Sequence, residues 1–108
     1  MRDNRVAPGP ELQVTKQGAD ISTAAEAVAA VSGKRIVITD ILISTGTAGD
    51  FSILDDSSII FKAFLGGDGT FSSNLSTPLA TSSGGAVKVQ SSTSNTNYCV
   101  TLSYYIET

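Results

Sequence analysis

Adjacent carboxylates at Asp55 and Asp56 are the first residues here whose type and spacing suit chemistry. Paired carboxylates can serve as general acid and base, or gather Ca²⁺. They stand side by side in "LDDSS", however, where Asp and Ser are also favoured turn residues, and a turn is the commoner reading. "GGDGT" around Asp68 resembles a fragment of a calcium loop, but the regular alternation of oxygen ligands over a dozen residues is missing. It is not a phosphate loop either, because no Gly-Lys-Ser/Thr follows and no helix opens there. Cys99, the single cysteine, would need a partner base to act as a nucleophile, and the chain contains no histidine. Lying mid-strand between Tyr98 and Val100, it reads as a small hydrophobe. Tyr98, Tyr104 and Tyr105 can form a sugar-stacking platform, yet strand alternation leaves only Tyr105 on the second face. No catalytic, cofactor-binding or metal-ligating residue is assigned.

Composition points the same way. With no histidine the chain lacks the commonest general base and transition-metal ligand, so serine-histidine and cysteine-histidine catalysis are excluded within one chain. An enzyme is the poorest reading. The formal net charge is −3 and the seven basic residues are scattered, which argues against nucleic acid, since phosphate neutralisation needs clustered Lys and Arg. The 108 residues suit one domain with a core of ordinary size, needing neither disulfides nor metal. A lone cysteine suits folding in a reducing cytoplasm. "MRDNRVAPGPEL" has no apolar signal region and no apolar run is long enough to span a bilayer, so a soluble protein without membrane attachment is expected.

The elements that would position these residues are strands. Serine and threonine make up about a quarter of the chain, a bias that suits strands with one wet face. Residues 1–20 read as an extended N-terminal arm, because "APGP" cannot be helical. Residues 21–108 form the domain. In "ISTAAEAVAAVSG", Thr23 and Glu26 have the form of a capping box, which suits a short helix, whereas Val28 and Ala30 suit a strand edge. "KRIVITDILIST" (34–45) is a central strand, apolar on both parities and therefore buried on both faces or bulged near Asp40. "DFSILDD" (50–56) and "SIIFKAFL" (58–65) read as a hairpin, with Phe51 and Ile53 on one face of the first arm and Ile59, Phe61, Ala63 and Leu65 sharing a face of the second. After the "GGDG" turn comes "TFSSNLS"; Pro78 then starts a loop or edge segment, and "AVKVQSS" turns Val87 and Val89 inward. The last strand alternates Tyr98, Val100, Leu102, Tyr104 and Ile106 against Cys99, Thr101, Ser103 and Tyr105. Seven or eight such strands are the pattern of an all-β sandwich or barrel.

The order "VSGKRIVITDILIST", "FSILDDSSIIFKAFL", "PLATSSGGAVKVQSS" and "YCVTLSYYIE" resembles the short jelly-roll proteins of tailed bacteriophages. They share a similar Gly-Lys-Arg opening, a Pro-Leu before the penultimate strand and a Tyr-rich final strand. The resemblance covers residues 21–107 and is one of strands and turns, not of a catalytic signature. It implies a jelly-roll-like β-sandwich of about eight antiparallel strands, with a strand rather than a helix at residues 24–31. It also implies a capsid decoration (cement) protein, commonly a trimer seated on the head shell. The expected partners are then further copies of the chain, as a homotrimer, and the major capsid protein. The expected location is the virion surface, after synthesis in the host cytoplasm. A carbohydrate- or receptor-binding module of a phage tail or fibre is the alternative.

A protein that glues a shell needs no reactive group and gains most from oligomerising and from extending a segment onto its neighbours. The flat second face of the last strand, with Cys99, Thr101, Ser103 and Tyr105, is the expected subunit interface. Arg2 and Arg5, with Val6, Leu12 and Val14, are the expected arm contacts to the capsid or a neighbour, by charge and by added strand pairing.

Overall fold

The computed structural model describes residues 11–66, 69–91 and 97–107. Eight strands run β1 (Leu12–Gly18), β2 (Ala25–Val28), β3 (Arg35–Thr45), β4 (Gly49–Asp55), β5 (Ser58–Leu65), β6 (Gly69–Ala80), β7 (Val87–Gln90) and β8 (Tyr98–Glu107). They form two four-stranded sheets, in the orders β1-β8-β3-β6 (sheet A) and β2-β7-β4-β5 (sheet B), and every pairing is antiparallel. The chain changes sheet at each connection except the β4–β5 hairpin. This is the strand order of a jelly roll, two Greek keys folded into a sandwich.

The two inner faces meet in one apolar core built on Ile36, Ile38, Ile41, Ile43, Phe51, Ile53, Val87, Val89, Val100 and Leu102, each at most 2 % exposed. Its β3 members would not share a face under simple alternation, since 36 and 38 differ in parity from 41 and 43. A bulge reconciles them. Ile38 faces Tyr104 and Asp40 faces Ser103, so β8 advances one residue where β3 advances two. Thr39 is the extra residue, and it returns both isoleucine pairs to the inside. Against β6 the same point is wider, because Ile38 faces Leu79 while Asp40 faces Asn74. Pro78 falls in that gap on an edge strand, where its missing N–H costs no ladder bond.

Residues 25–28 are strand, settling the helix-or-strand question in favour of β2. Two other expectations need correction. The sandwich does not begin near residue 21: Leu12–Gly18 pairs along β8 from Leu12–Tyr104 to Gly18–Tyr98, so the segment 1–20 is not an arm throughout. The physical reason is that β8 would otherwise be an edge strand with one row of backbone groups unpaired. Nor does Ile59 share the inward face of Phe61, Ala63 and Leu65. Ile53 faces Phe61 and Leu54 faces Ile59, so Ile60 is bulged, packs against the core in its place, and Ile59 turns out with 54 % exposed.

Candidate functional site

Asp55 and Asp56 are braces for the neighbouring loop. Asp56 has a left-handed φ of 55°, which Asp tolerates in a two-residue turn, and that turn closes the β4–β5 hairpin. Its N–H donates to the Ala86 carbonyl at 2.9 Å, and its Oδ1 accepts from the Ala86 N–H at 3.1 Å. Asp55 accepts from the Ser82 N–H at 2.8 Å and from the Ser82 hydroxyl at 3.2 Å. The carboxylates thus stitch the hairpin turn to the loop between β6 and β7. Among the described residues no three His, Cys, Asp or Glu side chains gather as metal ligands. Asp68 lies outside the described residues.

The last strand is placed by its own alternation. Tyr98, Val100 and Leu102 are buried, Tyr104 packs against the core, and Cys99, Thr101, Ser103 and Tyr105 form the outward row, each half-buried. Tyr98, 6 % exposed and tilted against Phe51 with ring centroids 6.1 Å apart, has its hydroxyl pKa raised by burial above the ordinary 10.0. Because β8 lies between β1 and β3, the outward row is not an edge. It runs along the middle of the outer face of sheet A.

Register fixes what surrounds it. Across that face one line reads Thr15, Thr101, Leu42, Ser72, and the next reads Gln13, Ser103, Asp40, Asn74. Short side chains around Leu42, with longer amides at the two sides, leave a shallow depression of about 460 Å³ lined by these residues other than Thr15, together with Ile41 and Ser73. Leu42 is 47 % exposed within it. Thr15 and Thr101 are tied hydroxyl to hydroxyl at 3.0 Å. At the bulge, the Thr39 hydroxyl lies 2.8 Å from Glu11 Oε2, 3.2 Å from the Ser103 carbonyl and 3.5 Å from Asp40 Oδ2, so it holds the rim where β1, β3 and β8 meet. A second depression of about 390 Å³ adjoins Cys99, between Ser44, Thr45, Gly46 and Asn97.

Of the expected interface residues, Thr101 and Ser103 line the larger depression and Cys99 the smaller, while Tyr105 stands opposite Val37 on the next line of the face. The arm residues are not brought together. Val14 packs against its own core and Leu12 is a 38 % exposed residue at the start of β1, so both belong to the sandwich; Arg2, Arg5 and Val6 lie outside the described residues. Sequence reading passed over Leu42 and Phe64. Phe64, 80 % exposed, shares the parity of Lys62 on β5, and that alternation was the available signal. Leu42 was hidden because its direction depends on where the bulge falls.

No protein-family model and no curated protein matches the chain. Among solved structures, a protein of Bacillus endospore appendages, described as a novel family of disulfide-linked pili, aligns over the full length of both chains. Identity is 11 % and the TM-score is 0.45, a likeness that carries no statement about function.

Proposed function

We propose that this chain is a structural virion protein that decorates and stabilises the capsid of a tailed bacteriophage, binding the shell as a homotrimer. The sequence resemblance over residues 21–107 supports the capsid part, and the outer face of sheet A supports the assembly part. The observation that carries the reading is the outward row Thr101 and Ser103, set with Leu42 into a shallow, short-side-chained depression. Short side chains let another subunit approach closely, and a half-exposed leucine gains by being covered. The partners are further copies of this chain and the major capsid protein, and no reactive group is required of it. Image reconstruction of a virion carrying the protein tests this reading. Density at three-fold or quasi-three-fold positions of the head supports it, and density at the tail tip contradicts it.

The second reading is a carbohydrate- or receptor-binding module of a tail or fibre. It draws on the same depression, where Gln13, Asp40 and Asn74 offer hydrogen-bonding groups of the kind a saccharide needs beside the apolar Leu42. Glycan-array binding by the isolated protein, lost on Asp40→Ala in the depression or on Tyr105→Ala beside it, would favour that reading over the capsid one.

A further inference from the structure

The depression on sheet A is apolar at Leu42 and anionic beside it. Leu42 is half exposed there, and Asp40, two residues back along β3, lines the same hollow. Glu11 continues the outward alternation of Thr15 and Gln13 at the start of β1, and the Thr39 hydroxyl reaches the carboxylates of both Glu11 and Asp40, so the two sit together at the rim. Among the described residues neither has a lysine or arginine partner, the ion pairs there being Arg35 with Glu107 and Lys62 with Asp50. Two neighbouring carboxylates without a counter-charge, beside a half-exposed leucine, suit a cationic segment that also carries an apolar side chain.

The chain carries such a segment, and it joins the sandwich at this rim. Residues 1–10, which precede Glu11, hold Arg2 and Arg5 against one acid, Asp3, with Val6 beside them, whereas residues 11–108 hold five basic and nine acidic residues. The two parts have opposite net charge. We infer that residues 2–6 of one copy dock in the sheet A depression of a second copy, with the guanidinium groups of Arg2 and Arg5 on Asp40 and Glu11 and with Val6 against Leu42. This deepens the proposed trimer and rests on it. A guanidinium matches a carboxylate with two parallel hydrogen bonds, and its methylene stem covers apolar surface on the way. The acceptor is a second copy because of the prolines. Pro8 and Pro10 fix their own φ and keep Ala7 and Gly9 out of the helical region, so the sequence favours an extended path of roughly 12 Å between Glu11 and Val6. That path carries the arginines away from the depression of their own copy. Fully extended, ten residues reach roughly 30 Å, against molecular extents of 42, 30 and 18 Å, enough to cross to a neighbour. The segment leaves from the same face of the sandwich that receives it, so three such contacts can follow one another around a three-fold axis.

The test uses three variants of the full chain: Arg2→Glu/Arg5→Glu in the arm, Asp40→Lys in the depression, and the two combined. An unchanged melting temperature shows that the fold is kept; should Asp40→Lys not fold, Glu11→Lys takes its place. Wild-type protein is expected to be a trimer that weakens as salt rises. The arm variant and the depression variant are each expected to raise the dissociation constant of order tenfold or more at low salt, and the combined variant, in which the charges are exchanged, to recover most of that loss. A trimer unmoved by Arg2→Glu/Arg5→Glu overturns this contact while leaving the trimer reading in place. Weakened single variants with no recovery in the combined one overturn it too, because the changed charges then do not face each other. Cross-linking separates a second copy from the arm's own. In a Cys99→Ser chain carrying Val6→Cys and Leu42→Cys, mild oxidation is expected to join chains to one another, and a link closed within single chains overturns the inference. A monomeric wild type overturns both readings.

Discussion

Asp55 is held by two hydrogen bonds from Ser82 and crowded by Gly85, where an added Cβ would sit 2.1 Å from its Oδ1. Gly85→Ala must therefore push the carboxylate off Ser82, and the expected loss is ~1–3 kcal/mol, read as a lower midpoint in thermal or urea unfolding. Asp55→Ala should lose a similar amount, and the two changes together less than their sum, because they break the same contact. Tyr98 gives a pH prediction. Its pKa is raised in the folded state, so below pH 10 the group is protonated folded or unfolded and adds no pH dependence. Above that the unfolded chain loses the proton first, and stability falls as pH rises toward the raised value. Urea unfolding at pH 9 and pH 11 should show this loss, and Tyr98→Phe should reduce it.

At the scale of elements, the Thr39 bulge decides which face of β3 is wet. Thr39→Ala keeps the bulge and removes the hydroxyl contacts to Glu11, Ser103 and Asp40, an expected cost of ~1 kcal/mol. Deleting Thr39 removes the bulge itself. Without it Ile36, Ile38, Ile41 and Ile43 fall on one face by plain alternation, so all four stay inward and a cooperative unfolding transition is expected by circular dichroism, at a midpoint lowered by the lost rim contacts. The sequence showed a great deal of this. The apolar run on both parities of "KRIVITDILIST" required burial on both faces or a bulge near Asp40, and the strict alternation of "YCVTLSYYIE" set the direction of every β8 side chain. What stayed hidden was register between distant strands. Nothing local in "SIIFKAFL" marks Ile60 as the bulged residue, and "LQVTKQG" carries a strand pattern too polar to announce that it completes sheet A. The depression was half legible for the same reason: Thr101 and Ser103 came from alternation, whereas Gln13, Asp40, Leu42 and Asn74 join them only through pairing.

At the scale of the whole molecule, the jelly roll buries its apolar core between the two sheets and leaves their outer faces outside it. Sheet A presents short polar side chains around Leu42, and the outer face of β5 presents Phe64. The proposed capsid reading requires the protein to meet itself. The most direct measurement is the mass of the full 108-residue chain in solution at micromolar concentration, by light scattering or native mass spectrometry. The account predicts a species of three times the chain mass, and a stable monomer at that concentration would contradict it.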